Sequence, residues 1–512
     1  MTEPKSLYRS KLTTPADAVG RIASGATLSM GMAMTEPPAL LKALADRAAA
    51  GKVSDLKIYY FESTRIAGET ILRYELADRI HPHCMFVTEV ERALIKKGAQ
   101  DGGHKTLTYV PSNFHQSPRL LTEHIGIDTF LVTVSPMDRH GYFTFGTGND
   151  YSSKVARAAK HLIVEVNDQM PRVYGSLAQL HVSEVEVIVE NNAPLLELPI
   201  PESAPEDATI GGIIAKMVPD AACLQMGVGA LPNMVCKQLS GRKDLGIHTE
   251  ALCPGMIDLI EAGVVTNRRK RLNTGKTVFT FAIGQKAMYD FLDDNPSVES
   301  HPVDYVNDPH VIAQNDNVVS VNAALQVDLT GAVNAEHLLG HQYSATGGQL
   351  DFVRGAYASR GGKSIIACPS TAAKGKVSRI VARLEGPVTT PRTDTQFVVT
   401  EFGWTDLKGK SSTDRAKALI DYREQALRFL DPIEGVNEEA ILQKTIEREL
   451  KRHKGKMSYR SLCRELSSSD YGTFRWKTAY KGLIEEARII EWKEKTPSHQ
   501  TTRMVGLLRQ DD

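Results

Sequence analysis

Short apolar runs alternate with stretches whose apolar positions recur every three to four residues through most of the chain. Thr129 to Val134 and Leu162 to Val166 are β-rich without polar alternation, the pattern of strands buried on both faces. Tyr151 to Ala159, lying between them, predicts a helix. Upstream, Ala26 to Met30 predicts a strand, Pro37 to Ala50 a helix and Leu56 to Phe61 a second strand. Strand-helix-strand alternation implies parallel sheets covered on both sides, an α/β class of fold.

Asn192 to Ala208 breaks the pattern with four prolines (Pro194, Pro199, Pro201, Pro205) and several acids, and reads as a linker. The alternation then resumes with a strand at Ala222 to Met226, a helix at Pro232 to Leu239 and a strand from Gly246 to His248. Further strands are expected at Val278 to Ala282, Val318 to Val321, Ser364 to Ala367 and Gln396 to Thr400. Two α/β domains follow, at residues 1–195 and 205–432. Near Asp431 to Val436 the character changes. Asn437 is placed to cap a helix, with Glu438 and Glu439 in its first turn. Ile441, Leu442, Thr445, Ile446 and Leu450 form a helical stripe. Tyr459 to Leu466 and Phe474 to Ala487 predict two more helices. An extended piece starting at Ile489, Ile490 and Trp492 is followed by a polar turn at Thr496 to Thr502 and a returning strand at Met504 to Leu508. Three helices and a hairpin make residues 437–512 a small winged-helix-like domain.

The length of 512 residues suits two or three domains. Lys plus Arg and Asp plus Glu both total 61, so no whole-protein field favours nucleic acid or membrane. An acidic substrate must be met by local groups. The six cysteines are scattered without a Cys-x-x-Cys pair, which argues against a zinc or iron-sulfur site and for free thiols in a reducing compartment. The N-terminus lacks the apolar core of a signal peptide, and no run of 18 apolar residues occurs, so a cytosolic protein is expected.

Gln225-Met226-Gly227-Val228-Gly229-Ala230-Leu231-Pro232 joins a strand to a helix. Gly227 and Gly229 permit a tight turn and close approach by a ligand, and backbone N–H groups at a helix start can receive an anion. A plain tight turn reads the same residues equally well. The dinucleotide fingerprint is absent, since Pro232 takes the third glycine position. Ser344-Ala345-Thr346-Gly347-Gly348 is a second glycine turn, whose amides either serve an oxyanion or belong to an ordinary loop. Gly362-Lys363-Ser364 and Gly409-Lys410-Ser411 both fail as phosphate loops, because Tyr357 and Trp404 stand where the earlier glycine is required. No Gly-x-Ser-x-Gly elbow occurs.

Glu250 ends the strand Gly246-Ile247-His248-Thr249. Ligands of open α/β sheets bind beyond the carboxyl ends of strands. A carboxylate there can be a base, a nucleophile or a cap, and spacing alone does not decide among them.

The chain resembles the acetyl-CoA hydrolase/transferase family, the class I CoA-transferases of the 4-hydroxybutyrate and butyrate type. The resemblance rests on Ser135-Pro136 with Asp138 and His140-Gly141-Tyr142, and on Glu165-Val166-Asn167 with Met170-Pro171. It continues through the Gly227 turn, His248-Thr249-Glu250, Tyr305-Val306-Asn307-Asp308-Pro309 and Val327-Asp328-Leu329-Thr330-Gly331. Gly347-Gly348-Gln349 with Asp351-Phe352 and Val399-Thr400-Glu401-Phe402-Gly403 complete it, and it spans about Thr14 to Leu419. A departure falls after Arg415 to Ile420, where Asp421-Tyr422-Arg423-Glu424 replaces the usual His-Pro.

The resemblance implies two similar CoA-transferase-type α/β domains with the active site between them. It implies a nucleophilic Glu250, an oxyanion site near Gly348, and coenzyme A contacts at Gly227, Val228, Gly229, Ala230, Leu231, Asn322, Ala324, Ser344, Gly347 and Lys374. Val110 to His115 and Met137 to Tyr142 are implied to line the acyl pocket. The expected activity moves CoA between a short-chain acyl-CoA and a free carboxylate such as acetate. A glutamyl-CoA thioester carries it, with coenzyme A as substrate, no permanently bound cofactor and no metal. An acyl-CoA hydrolase differs only in letting water attack that thioester. A regulatory binding protein is a further alternative: residues 437–512 carry 16 Lys plus Arg against 12 Asp plus Glu, and Tyr459, Arg460, Arg464, Arg475, Lys477 and Lys481 could meet DNA phosphates. The expected partners are acyl-CoA, small carboxylic acids and a second copy in a dimer, without a membrane.

Overall fold

The computed structural model describes residues 3–199, 201–373, 375–429, 436–454, 456–466, 476, 479–481, 483–484, 489–495 and 501–507. The chain divides into two compact units, Met1–Ala426 and Leu427–Asp512.

The first unit holds two large sheets. One is built from β1 (Thr27–Met30), β2 (Leu56–Tyr60), β3 (Ile80–Cys84), β4 (Thr108–Tyr109), β5 (Thr129–Val134), β6 (His161–Val166) and β7 (Val187–Glu190), in the order β4-β3-β2-β1-β5-β6-β7. Every pairing in it is parallel. The unbroken apolar run of β5 is explained by burial on both faces. Phe130, Val132 and Val134 enter one core, while Leu131 enters the other with Leu40, Leu41 and Leu44 of helix α1 (Pro38–Ala49). Each such side chain contributes about 1.5–3 kcal/mol by leaving water. The core on the Phe130 face also contains Ala251, Phe281 and Val303 from the second half, so the two halves share apolar packing.

The second sheet contains β8 (Cys223–Met226), β9 (Gly246–Ile247), β10 (Val318–Ala323), β11 (Lys363–Ala367), β12 (Phe397–Thr400) and β13 (Gly403–Asp406), in the order β9-β8-β10-β11-β12-β13. All pairs are parallel except β12 with β13. The chain runs from β8 outward to β9, then returns to the other side of β8 with β10. The order reverses between β8 and β10, and the carboxyl ends of strands at such a reversal are the usual ligand position. Helix α2 (Ala230–Gln238) leaves the end of β8, and helix α3 (Gln349–Ala358) packs beside β10 and β11.

Several elements differ from expectation. The linker reading of Asn192 to Ala208 overlaps a helix, Pro205–Met217, in which Pro205 is the first residue and Glu206 and Asp207 occupy the first turn. Val278 to Ala282 is two short strands, Thr277–Phe279 and Phe281–Ala282, rather than one. β3 went unpredicted because Pro82 stands inside it. β4 pairs only with His83 and Cys84, so Pro82 lies where β3 is an edge on that side, and the missing N–H is tolerated.

In the second unit a helix spans Val436–Arg452, so Asn437 lies inside its first turn and does not cap it. Tyr459–Glu465 is helical. The expected helix Phe474 to Ala487 falls largely outside the described residues. Three strands, β14 (Lys456–Ser458), β15 (Ile489–Lys495) and β16 (Thr501–Leu507), pair antiparallel in the order β14-β16-β15. Leu442, Ile446, Leu450, Leu462, Ile489 and Val505 are among the residues of its own core. No helix of the described residues is long and apolar enough to cross a membrane.

Candidate active site

Glu250 sits where the chain leaves β9. The His248 N–H donates to Leu224 and the Thr249 N–H to Val278, and the Glu250 carbonyl accepts from the Thr280 and Phe281 amides at 3.0 and 3.2 Å. Ala251–Leu252 then pairs with Phe281–Ala282. The backbone of Glu250 is thereby fixed on both sides. His248, two residues earlier, is buried and meets the Val306 carbonyl through Nε2 at 2.8 Å. A carbonyl only accepts, so Nε2 carries the proton, and burial pushes this imidazole down to about 3 and keeps it neutral.

That tether places the next residue, Asn307, whose Nδ2 donates to Glu250 Oε2 at 2.5 Å. The Gly348 backbone lies against the same carboxylate. Gly348 precedes the first residue of α3, so the carboxylate faces the positive end of a ten-residue helix. Gly347 turns the chain there in the left-handed region, at φ +56°. A Cβ on Gly348 would overlap both Glu250 Oε2 and Asn307 Nδ2. Glu250 keeps a small accessible surface, although protein surrounds it closely. Burial pushes its carboxyl up to about 8, reinforced by the nearby charges of Asp351 and Glu62 and opposed by the Asn307 and Gly348 donors.

The first half of the chain reaches this place through three aromatic segments, which follow β2, β3 and β4. The Phe114 N–H donates to the Gly347 carbonyl at 3.0 Å. His115 contacts Asp351 twice, through Nδ1 to Oδ1 at 2.7 Å and through its backbone N–H to Oδ2 at 3.4 Å. Phe61 stacks on Phe114 with ring centroids 4.0 Å apart, and Phe86 lies against Phe61 and Gly347. Met137, expected at the acyl pocket, lines a separate cavity of ≈500 Å³ with Lys5, Tyr8 and Val166.

The remaining candidate residues fall near the carboxyl ends of β8 and β10 and in the turn before α3. Gly229 has φ +128°, and Val228 is half exposed on the turn between β8 and α2. Leu231 and Ala230 open α2, which Asn233 ties to Gly229 and to Gly255. Thr249 Oγ1 donates to the Met226 carbonyl, so the residue before Glu250 touches the residue before Gly227. Asn322 donates to Gln225 at 3.3 Å, and Ala324 follows at the end of β10. Gln349 donates to the Ala323 carbonyl, bridging this end to the Gly348 turn. Ser344 lies three residues before Gly347, its N–H donating to the Glu336 carbonyl. Lys374 lies outside the described residues. Asn307, Asp351 and Glu62 went unassigned in the sequence, and His115 entered only as the end of the stretch expected at the acyl pocket. Asn307 and Asp351 stand inside the quoted motifs, but nothing local gives them a role. No cluster able to hold a metal ion occurs among the described residues, and all six cysteines are free.

A largely parallel sheet with a carboxylate just beyond a strand end, packed against a glycine turn, defines a class of α/β proteins whose candidate site lies at the strand ends. Comparison with known proteins narrows the class. Residues 1–198 match the acetyl-CoA hydrolase/transferase N-terminal domain and residues 284–428 the corresponding C-terminal domain. The chain belongs to the acetyl-CoA hydrolase/transferase family. It is 43% identical over 416 residues to succinyl-CoA:cyclohexane-1-carboxylate CoA transferase of Geobacter metallireducens, covering 81% of this chain and 92% of that one. It is 40% identical over 429 residues to 4-hydroxybutyrate coenzyme A transferase of Clostridium kluyveri, covering 83% and 97%. The crystal structure of RipA from Yersinia pestis is 65% identical with a TM-score of 0.81, covering 83% of this chain and 98% of that one.

Proposed function

We propose that the protein exchanges CoA between a short-chain acyl-CoA and a free carboxylate such as acetate, through a glutamyl-CoA thioester on Glu250. The observation that carries this reading is the Glu250 carboxylate held by Asn307 Nδ2 and packed against the Gly348 backbone at a helix start.

Glu250 attacks the acyl-CoA carbonyl, the thiolate of CoA leaves, and an acyl-glutamyl anhydride forms. The thiolate then attacks the Glu250 carbonyl of that anhydride and releases the free acid, leaving a glutamyl-CoA thioester. An incoming carboxylate reverses the sequence, which gives ping-pong kinetics. Holding the nucleophile in place removes the entropic cost of a bimolecular encounter. When the Glu250 carbonyl is attacked, its oxygen becomes an oxyanion beside donors already in position, and one such donor is worth about 2.7–4 kcal/mol. The burial that pushes the carboxyl up also favours its neutral, acylated forms over the anion.

Position at the strand ends supports assigning CoA contacts to Gly227, Val228, Gly229, Ala230 and Leu231, with Asn322, Ala324, Ser344 and Gly347 nearby. The two large sheets support reading residues 1–195 and 205–432 as paired CoA-transferase-type domains. The order helix, strand, helix, hairpin in residues 437–512 is consistent with a winged-helix-like appendage.

The test is trapping. With acyl-CoA present, hydroxylamine or borohydride should modify Glu250, and Glu250→Ala should abolish transfer. Finding no CoA adduct on the peptide around Glu250 would rule the mechanism out. CoA release that proceeds equally with and without acetate would instead identify a hydrolase.

A further inference from the structure

We propose that His115 and Asp351 form a positioning pair that balances charge beside Glu250 and does so only when the two halves of the first unit are docked. The inference rests on the reading of Glu250 as the nucleophile.

Two carboxylates stand close here: the Asn307 amide donates to Glu250, and the buried Asp351 acts on Glu250 through space. Asp351 is 2% exposed. A buried negative charge so close to Glu250 opposes formation of the reactive anion. His115 is the group placed to cancel it, through the Nδ1 contact at 2.7 Å and the backbone N–H at 3.4 Å. The imidazole side chain remains 27% exposed, so it can stay charged at low cost while its partner does not touch water freely.

The other charged groups around the pair are acidic. Asp308 and Asp304 act on His115 through space, and Glu62 acts on Glu250 from the first half of the chain. Each favours a protonated His115 or disfavours an ionised Glu250, so the imidazolium bears the compensation. Asp351 raises the basicity of His115, while burial pushes the Asp351 carboxyl up and His115 opposes that rise.

The pair also crosses the fold. His115 follows Phe114, whose N–H holds the Gly347 carbonyl, whereas Asp351 lies in the first turn of α3, whose N-cap Gly348 lies against Glu250. Compensation and donor geometry are therefore fixed by one docking contact between segments 236 residues apart.

The experiment follows formation of the CoA adduct on the Glu250 peptide against pH in the full-length chain, with butyryl-CoA as probe. His115→Asn keeps a donor near the Nδ1 position without the charge. It should move the midpoint for adduct formation up by roughly one pH unit, within the range a neighbouring charge produces. Asp351→Asn removes the opposing charge and should move the midpoint down. The double variant should return close to the wild-type midpoint, because it carries neither the opposing charge nor its compensation. Simple loosening of the site would move both single variants the same way, and that result overturns the proposal. Unmoved midpoints overturn it too, while leaving Glu250 as the nucleophile. Absence of adduct in the wild-type chain at every pH overturns the Glu250 reading itself and the pair with it. Should His115→Asn fail to fold, the sign of the Asp351→Asn shift alone decides.

Discussion

The Gly348 backbone stands against the Glu250 carboxylate so closely that the space a Gly348 Cβ would take is already filled by Glu250 Oε2 and Asn307 Nδ2. The glycine is required by close approach and not by its backbone angles, since its φ of −100° is open to any residue. Gly348→Ala should therefore displace the carboxylate or the amide. We expect kcat/KM to fall about 10²–10³-fold, the cost of one misplaced oxyanion donor. Overpacking should lower stability by only about 1–3 kcal/mol. Steady-state kinetics beside a urea unfolding curve separates the two. An alanine variant with wild-type kcat/KM would show that this amide plays no part.

Asn307 acts on the same carboxylate from the other side. A hydrogen bond to a charged group contributes about 1.5–3 kcal/mol. Losing it in Asn307→Ala should raise the pH at which Glu250 ionises by about one unit or more, because one unit corresponds to about 1.36 kcal/mol. The acidic limb of the kcat/KM profile should shift upward with it. An unshifted limb with reduced kcat would assign Asn307 to later steps only.

The strands that pack on both faces were legible in the sequence because their signal is local. β5 was expected at Thr129 to Val134 and is found there. β3 was hidden by Pro82, whose tolerance depends on the length of a neighbouring strand. The helix Pro205–Met217 was hidden by prolines, although one of them is its first residue. Glu250 stood out because it ends a strand and matches a family motif. Its partners did not, since Asn307 is 57 residues away and the His115–Asp351 contact spans 236. No periodicity reports a contact across such distances.

Lys270 gives a further check on how the Glu250 segment is held. It is 5% exposed, and its Nζ donates to the Ile247 and Lys276 carbonyls at 2.7 Å each. Burial pushes its amine down to about 8. Lys270→Met leaves both carbonyls without this donor and should cost roughly 2–4 kcal/mol at pH 7. Between pH 8 and an ordinary lysine value of about 10.4, the unfolded chain holds the extra proton. Wild-type stability therefore gains with rising pH relative to the methionine variant, and the gap between them should widen from pH 8 to pH 10. A gap that narrows would mean that the buried amine is charged throughout.

The carboxyl of Glu250 has the opposite sign of linkage. Its folded value of about 8 lies above the ordinary 4.5. Between those values the unfolded chain releases the proton while the folded chain keeps it, so stability falls as pH rises through that window and levels off above pH 8. Glu250→Gln does not titrate, and its amide oxygen can still accept from Asn307. The variant should match the wild type in urea near pH 4.5 and exceed it increasingly up to pH 8, by roughly 3–5 kcal/mol at the plateau. The same variant should form no CoA adduct. A stability gap independent of pH from 4.5 to 9 would show that Glu250 ionises in the folded chain as easily as in water, and that the enclosure around it does not oppose its charge.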